Sequence, residues 1–232
     1  MLKAIVFDFD GVIVDSEPLH LRAYQAVLEQ EGIQLTRDEY YKRYLGFDDS
    51  GLFRALAGDR GIAITDDKID SWVDAKSELV EELLGDDSIL FPGAVSCVRM
   101  LAERYPLAIA SGALAPEIEL VLENAGLMDC FKIIASASDG VRGKPAPDLY
   151  LLAVGKLRDY VSVDAESCVA IEDSKWGLEA ARMARLRTVA VTHTYPASEL
   201  PGAGLVVDHL RDITIDGLKK LWDTDSAIMG SS

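Results

Sequence analysis

The sequence predicts a doubly wound α/β fold, in which a parallel β-sheet carries helices on both faces and an all-helical domain is inserted after the first strand. Two observations predict it. Short, continuous apolar runs alternate with amphipathic segments along most of the 232 residues, and one long stretch after the first run contains only helical patterns. Continuous apolar runs are typical of strands that are covered on both faces of a parallel sheet.

Six apolar runs are the predicted strands of the core, at 4–9, 107–110, 133–135, 169–171, 188–191 and 205–207. Between them, amphipathic stretches predict helices near 94–105, 115–125, 148–158, 175–185 and 214–222. Strands that alternate with helices of this length are typical of a Rossmann-like sheet.

The inserted domain is predicted from the stretch between Glu17 and Leu84, which has helical patterns at 17–31, 37–45, 49–58 and 66–84. Apolar residues recur there at helical spacing, and glycines such as Gly32 and Gly46 separate the segments. We therefore predict a core formed by residues 1–15 and 90–232 and a helical domain formed by 16–89. The chain would cross between them near 13–17 and 86–93.

The composition excludes several classes of protein. No apolar stretch approaches the roughly 18 residues that a membrane helix needs, and the N-terminal segment is typical of a first core strand and not of a signal peptide. A net charge of −16 would repel nucleic acid and anionic membrane surfaces, so neither is a predicted partner. The three cysteines form no CxxC pair, which predicts buried thiols in a reducing cytoplasm.

Asp8 and Asp10 lie at the end of the first run, in the segment Asp-Phe-Asp-Gly. Side chains two residues apart on a strand point the same way, which would place both carboxylates on one side. One could stay ionised and attack while the other stays protonated and serves a leaving group. Aspartate and glycine also favour turns, and these residues alone do not decide between the two interpretations.

Ser111, Gly112 and Lys144 follow later runs and could bind an anion. The Ser111 hydroxyl and nearby backbone N–H groups precede a predicted helix, an arrangement that can hold an oxyanion. Lys144 lies in Gly-Lys-Pro-Ala-Pro-Asp, where the prolines stiffen the backbone and the lysine could hold a phosphoryl group as a point charge. Ser-Gly is equally common in ordinary loops, and a surface lysine is usually only solvated.

Glu172 and Asp173 are adjacent acids at the end of a strongly apolar run, where they would repel each other unless a cation lies nearby. Magnesium is commonly held by one or two carboxylates together with substrate phosphate and water. The alternative is that Asp173 or Ser174 caps the following helix. The four stretches together supply a nucleophile, an acid/base, phosphate-binding groups and metal ligands, which favours phosphoryl transfer through an aspartyl phosphate.

These motifs, in this order and spacing, resemble the haloacid dehalogenase superfamily, in the branch with a helical cap after the first strand. The resemblance covers essentially the whole chain and rests on the segment from Asp8 to Asp15, Ser111, Lys144 in its loop, and Glu172-Asp173-Ser174. It implies that Asp8 attacks phosphorus, that Asp10 protonates the leaving oxygen and then activates water, and that Ser111 and Lys144 bind the phosphoryl group. It also implies that Mg2+ is bound by Asp8, the Asp10 carbonyl, Asp173 and, directly or through water, Glu172, with Asp148 supporting the site from outside.

Within this superfamily the chain is most similar to β-phosphoglucomutases and related sugar-phosphate phosphatases. The segment that ends in His20 is similar to the mutase segment whose cap histidine lies near the acid/base, although a histidine on a helix surface is an equally good interpretation. The mutase pattern has an arginine in the cap loop for the distal phosphate, where this chain has residues 45–50, Leu-Gly-Phe-Asp-Asp-Ser. It also has a Ser-Lys pair where this chain has Ala113-Leu114. These departures favour a phosphatase that acts on a small phosphorylated metabolite, with a mutase as the alternative.

Two further interpretations are weaker. A haloalkanoic acid dehalogenase needs the nucleophile but neither magnesium nor a proton shuttle, so Asp10 and the Glu172-Asp173 pair argue against it. A catalytically idle binding protein would not need the complete set of chemical groups. The sequence leaves open a monomer or a homodimer, and Tyr40, Tyr41 and Tyr44 could belong to an interface or to the core of the cap.

Overall fold

The structure, a computed structural model, describes residues 1–45, 47–83 and 89–223. Three parts of the predictions lie outside the described residues. They are Gly46 of the cap loop, Leu84 at the end of the last predicted helix of the insert, and residues 86–88 of the second chain crossing.

A six-stranded parallel sheet forms the centre of the larger unit. Its strands are β1 (Ala4–Phe7), β2 (Leu107–Ala110), β3 (Phe131–Ala135), β4 (Cys168–Glu172), β5 (Arg187–Val191) and β6 (Leu205–Val207). The order across the sheet is β3-β2-β1-β4-β5-β6, and each neighbouring pair is parallel. Strands β1, β2 and β4 are buried at every position, which explains their continuous apolar runs. The predicted fold class is confirmed.

Strand β1 is shorter than its apolar run and ends at Phe7. The Asp8 N–H still donates to the Ile171 carbonyl, at 2.9 Å, but Gly11 then adopts a left-handed conformation, with φ of 75°. The Gly11 N–H donates to the Val14 carbonyl at 2.8 Å, which closes a tight turn. Phe9 is buried without belonging to the strand, so Asp8 and Asp10 lie on a loop and not on two successive outward positions of a strand.

Two compact units divide the chain, the first formed by Met1–Asp15 and Asp87–Ser232, the second by Ser16–Asp86. The helices of the second unit are α1 (Glu17–Glu29), α2 (Arg37–Glu39) with a π-helical turn at Tyr40–Tyr44, α3 (Asp49–Arg60) and α4 (Asp66–Leu83). They surround a core of their own that includes Leu28, Phe53 and Trp72. Tyr40 and Tyr44 are buried in that core, and Tyr41 packs against it.

The connections of the larger unit contain α5 (Ala94–Ala102), α6 (Ala115–Asn124), α7 (Asp148–Leu157), α8 (Lys175–Met183) and α9 (Ile215–Lys219). One layer of the core packs β-strand residues such as Val6 and Ala170 against α7 residues such as Tyr150 and Ala153. In the described part of the chain, every helix is too short or too polar to cross a bilayer. Cys97, Cys130 and Cys168 are free thiols.

Candidate active site

The carboxyl ends of the central strands bring the predicted motifs to one edge of the sheet. Strand β1 lies between β2 and β4, where the strand order reverses direction. Asp8 follows β1, Ser111 follows β2, and Glu172 ends β4. Open parallel sheets bind ligands beyond the carboxyl ends of their strands at such a switch point. The topology therefore explains why these motifs can act together although they are far apart in sequence.

Asp8 is held by two donors. Its Oδ1 accepts a hydrogen bond from the Phe9 N–H at 2.7 Å and lies 2.8 Å from Lys144 Nζ. The residue is buried, with 7% of its surface exposed. Because two donors fix the carboxylate, it presents a defined orientation toward solvent or substrate, as a nucleophile requires.

Lys144 joins Asp8 to the acid pair formed by Glu172 and Asp173. Its Nζ lies 2.5 Å from Glu172 Oε1 and packs over the Tyr150 ring at 5.3 Å from the ring centre. Burial alone would lower the pKa of Lys144, but the carboxylates of Asp8 and Glu172 outweigh burial and raise that pKa above its ordinary value. The lysine is therefore a permanent cation between two carboxylates.

Glu172 has no exposed surface and each of its oxygens has two donors. Oε1 accepts from Lys144 and from the Tyr150 hydroxyl, the latter at 2.7 Å. Oε2 accepts from the Asp173 N–H and the Ser174 hydroxyl, both at 3.2 Å. Sequence reasoning missed Tyr150, because helical periodicity predicts that it is buried in α7 and does not predict where its hydroxyl points.

Asp8, Glu172 and Asp173 form a buried acidic triad that could hold a metal ion. Each contributes one carboxylate oxygen, and the three oxygens lie within 4.8 Å of one another. Two glycines make room for this triad: a Cβ on Gly11 would lie 1.9 Å from Asp173 Oδ2, and one on Gly177 would lie 1.9 Å from Glu172 Oε1. An all-oxygen donor set of this charge suits Mg2+, which prefers carboxylates and water.

The triad is electrostatically costly without a cation. Burial, reinforced by the charge of Glu172 and opposed by Lys144, raises the pKa of Asp8 well above its ordinary value. Burial and Glu172 likewise raise the pKa of Asp173 to about 7. Both shifts mean that the ionised carboxylates favour a nearby positive charge.

Gly177 provides a direct test of how tightly the acid pair is packed. The change Gly177→Ala should lower activity at least about tenfold and destabilise the protein by about 1–3 kcal/mol, because the new methyl group would displace the Glu172 carboxylate. Activity assays and thermal unfolding would measure both effects.

Gly155→Ala is the matched control, because Gly155 is also helical and has open space around its Cβ position. It should raise stability by about 0.5–1 kcal/mol and leave activity unchanged. Wild-type activity in Gly177→Ala would contradict the packing that the structure assigns to Glu172.

Ser111, Gly112 and Asp10 differ in how deeply they are buried. Ser111 is buried, and its Oγ accepts from the Ala113 N–H at 3.1 Å, while Gly112 is exposed. Asp10 is partly buried and forms a bridge with Val14.

Ser174 and Asp148, at the edges of the site, each contact a neighbouring residue of the chain. Ser174, and not Asp173, caps α8 by accepting from the Gly177 N–H at 3.1 Å. Asp148 forms a two-point ion pair with Arg142, with both distances at 3.0 Å.

His20 lies on α1 of the helical unit. Its Nδ1 is buried and has no hydrogen-bond partner among the described residues. Burial and the nearby Lys76 charge lower the pKa of His20 to about 4, against the opposing effect of Asp49. The ring is therefore neutral near pH 7.

Comparisons with known proteins agree with these motifs. The family model described as haloacid dehalogenase-like hydrolase matches residues 2–185. Hexitol phosphatase B of Escherichia coli is 30% identical, with 97% of this chain and 96% of that protein covered. Beta-phosphoglucomutase of Bacillus subtilis is 28% identical, with 96% of each chain covered. The structure of CbbY from Rhodobacter sphaeroides in complex with phosphate has a TM-score of 0.78 at 27% identity, with 94% of this chain and 100% of that chain covered.

The lengths of the relatives differ widely. The chain spans only 20% and 58% of two Arabidopsis thaliana proteins that it also matches. The extent of the family match and the coverage of the bacterial relatives nevertheless decide the family. The chain belongs to the haloacid dehalogenase-like hydrolases.

Proposed function

We propose that this enzyme is a magnesium-dependent phosphatase that hydrolyses a small sugar or polyol phosphate through a phosphoryl group carried on Asp8. The observation that carries the proposal is the cluster in which Asp8 shares Lys144 with Glu172 beside Asp173. A carboxylate nucleophile, a fixed cation and a pair of metal-binding acids are the parts that phosphoryl transfer requires.

In the proposed reaction, Asp8 attacks phosphorus while Asp10 gives a proton to the leaving oxygen. Asp10 then takes a proton from water, which attacks phosphorus and releases phosphate from Asp8. Lys144 and Ser111, with the Gly112 backbone, hold the phosphoryl oxygens and stabilise their charge. Asp8, the Asp10 carbonyl, Asp173 and Glu172 would hold Mg2+, which supplies positive charge to the transferring group.

We propose water, and not a sugar, as the acceptor of the phosphoryl group because of contacts within the helical unit. In the loop where the mutase pattern has an arginine, Asp49 accepts a hydrogen bond from Tyr24 at 2.5 Å and from the buried Lys76 at 2.9 Å. Lys76 is thus already neutralised within its own unit, which disfavours binding of a second phosphate. The polyol and carbohydrate phosphatases among the relatives are consistent with this proposal.

A phosphate-release screen over some tens of sugar and polyol phosphates with Mg2+ tests the function. Release from one or more of them is expected. β-Glucose 1-phosphate with a trace of the 1,6-bisphosphate tests the mutase alternative, which the similarity to a phosphoglucomutase keeps open. Formation of glucose 6-phosphate without free phosphate would overturn the phosphatase proposal.

We also propose that residues 16–89 act as a cap that selects the leaving group, with chain crossings near 13–17 and 86–93 as hinges. Exchanging Phe47 and Asp48 and repeating the substrate screen tests this role. Unchanged relative rates would show that the loop does not select the substrate.

Magnesium affinity should increase with pH. Because the pKa of Asp173 is raised to about 7, the folded protein retains protons between pH 4 and 7 that the unfolded chain releases, and its stability falls as pH rises through this range. Mg2+ favours the ionised acids, so binding releases protons. Saturating Mg2+ should therefore raise the melting temperature more at pH 8 than at pH 5.5.

The variant Asp173→Asn serves as the control for this measurement, since it removes the group whose pKa is raised. Its response to Mg2+ should be small at both pH values. An equal response of the wild-type protein at pH 5.5 and pH 8 would contradict a metal site at these acids.

A further inference from the structure

The loop that follows β5 contacts the catalytic turn, formed by residues 8–14, through His193, a residue that none of the motifs includes. Its Nδ1 lies 3.0 Å from the carbonyl oxygen of Gly11. Its ring stacks on Phe91, with the ring centres 3.9 Å apart and the planes inclined by 22°. His193, Gly11 and Phe91 all belong to the larger unit.

The Gly11 carbonyl is a sensitive point because Gly11 follows Asp10 directly and turns the chain. Its left-handed φ of 75° leaves the peptide plane between Gly11 and Val12 to be fixed by hydrogen bonds. The Val12 N–H of that peptide donates to the Phe9 carbonyl at 3.4 Å, and the Gly11 carbonyl faces His193. His193 thus holds the carbonyl side of the peptide that joins Gly11 to Val12.

The same loop also contacts the metal-binding side of the cluster. The Thr194 side chain lies near Asp173 and lowers the pKa of that carboxyl, against the larger effects of burial and Glu172. Gly11 itself lies so close to Asp173 that a Cβ would overlap the carboxylate. The neighbouring residues His193 and Thr194 therefore face the turn that follows Asp10 and the acid that follows β4, respectively.

The stack on Phe91 connects the returning chain to this turn. The Phe91 N–H donates to the Ile13 carbonyl at 3.0 Å, and the Asp15 N–H donates to the Ile89 carbonyl at 2.7 Å. The two chain segments that border the larger unit are therefore paired with each other. The His193 ring fixes one of them to the catalytic turn by a flat aromatic contact.

The imidazole must donate from Nδ1, because a carbonyl oxygen can only accept. Burial, with a contribution from His209, lowers the pKa of His193, although the Gly11 carbonyl and Asp15 oppose this effect. The neutral ring with its proton on Nδ1 satisfies this contact.

We propose that His193 is a positioning residue for phosphoryl transfer, which holds the Gly11 carbonyl and thereby fixes Asp8 and Asp10 relative to Asp173. The inference rests on the proposed phosphatase function. The imidazole contacts neither the phosphoryl group nor the metal in this role. Its contribution is to keep the catalytic turn in one conformation.

A pair of substitutions separates the hydrogen bond from the stack. His193→Phe retains a flat ring against Phe91 and loses the donor, whereas His193→Asn loses the ring and places an amide N–H near the position of Nδ1. We expect His193→Phe to lower kcat by about 10- to 100-fold with little change in KM, and His193→Asn to recover most of that loss. Tyr160→Phe, which changes an exposed side chain of the larger unit, is the control and should leave kcat unchanged.

Hydrogen exchange of the peptide that contains residues 8–14 provides a readout that does not need activity. Exchange should be faster in His193→Phe and close to wild type in His193→Asn. Wild-type exchange in His193→Phe, or a kcat in His193→Asn as low as that in His193→Phe, would overturn the proposal. If the wild-type enzyme released phosphate from no substrate, the proposed function would fail, and the exchange data alone would still decide whether His193 holds the turn.

Discussion

Asp8→Asn should lower kcat by at least about 10^4-fold, the largest effect expected of any single substitution in this enzyme. The asparagine can still accept the hydrogen bond from the Phe9 N–H, so the loop should keep its conformation. It cannot attack phosphorus, because an amide has no ionised oxygen. The loss would appear in magnesium-dependent hydrolysis of p-nitrophenyl phosphate.

The same substitution should not destabilise the fold. Burial raises the pKa of Asp8, which means that the folded state disfavours its ionised form. A neutral side chain of the same shape avoids the free-energy cost of burying this charge. The melting temperature of Asp8→Asn should equal or exceed that of the wild type. Asp38→Asn, which changes an exposed pair with Lys42, is the control and should alter neither activity nor stability measurably. Retention of activity within about tenfold of wild type by Asp8→Asn would mean that another group is the nucleophile.

Lys144→Met should impair both activity and folding. Methionine keeps much of the apolar stem but leaves Asp8 and Glu172 without their shared cation, at 2.8 and 2.5 Å. We expect kcat to fall by about 10²- to 10³-fold, since a fixed charge on the phosphoryl group is lost. The free energy of unfolding should fall by about 3–5 kcal/mol, because removing one partner leaves buried charges uncompensated.

The pH dependence of this loss has a defined sign. Without Lys144 the pKa of Asp8 would rise further, so the folded state would bind more protons and its stability would fall as pH rises. Denaturant unfolding should therefore show a larger loss at pH 8 than at pH 5.5. Lys156→Met, which removes a half-exposed lysine paired with Asp139, should cost less than about 1 kcal/mol at either pH. Equal losses for the two lysine variants would contradict the buried role of Lys144.

Much of the fold follows from local patterns. The buried strands of a parallel sheet leave an unmistakable apolar run, and each of the six predicted runs overlaps an observed strand. The four helical stretches of the insert also correspond to observed helices, because an amphipathic helix records its buried face at a spacing near 3.6 residues. Asp8 and Glu172 could be selected as candidate site residues because each is an acid at the end of a buried apolar run.

The parts that sequence reasoning missed depend on contacts between distant segments. The Tyr150 hydroxyl reaches Glu172 only because α7 packs over β3, β2 and β1, the strand next to β4, and His193 reaches Gly11 across 182 positions of sequence. Neither residue differs locally from an ordinary core tyrosine or loop histidine. The end of β1 at Phe7 was missed because Phe9 is as apolar and buried as a strand residue, while the turn is determined by Gly11.

The acidic composition disfavours anion binding unless the site supplies positive charge. In the proposed reaction, a chain with a net charge of −16 would bind an anionic substrate next to three buried carboxylates. Lys144 supplies one fixed positive charge within this cluster, and the triad has the oxygen ligands that a divalent cation prefers. The proposed dependence on Mg2+ follows from this charge balance.

Chemical trapping of the acyl phosphate on Asp8 tests the central claim most directly. Borohydride reduces an acyl phosphate to an alcohol, so enzyme quenched during turnover of p-nitrophenyl phosphate with Mg2+ should contain homoserine at position 8, detectable by peptide mass spectrometry. The conversion should require both substrate and Mg2+ and should be absent in Asp8→Asn. Turnover without any modification at Asp8, or with the modification at a different carboxylate, would contradict the account.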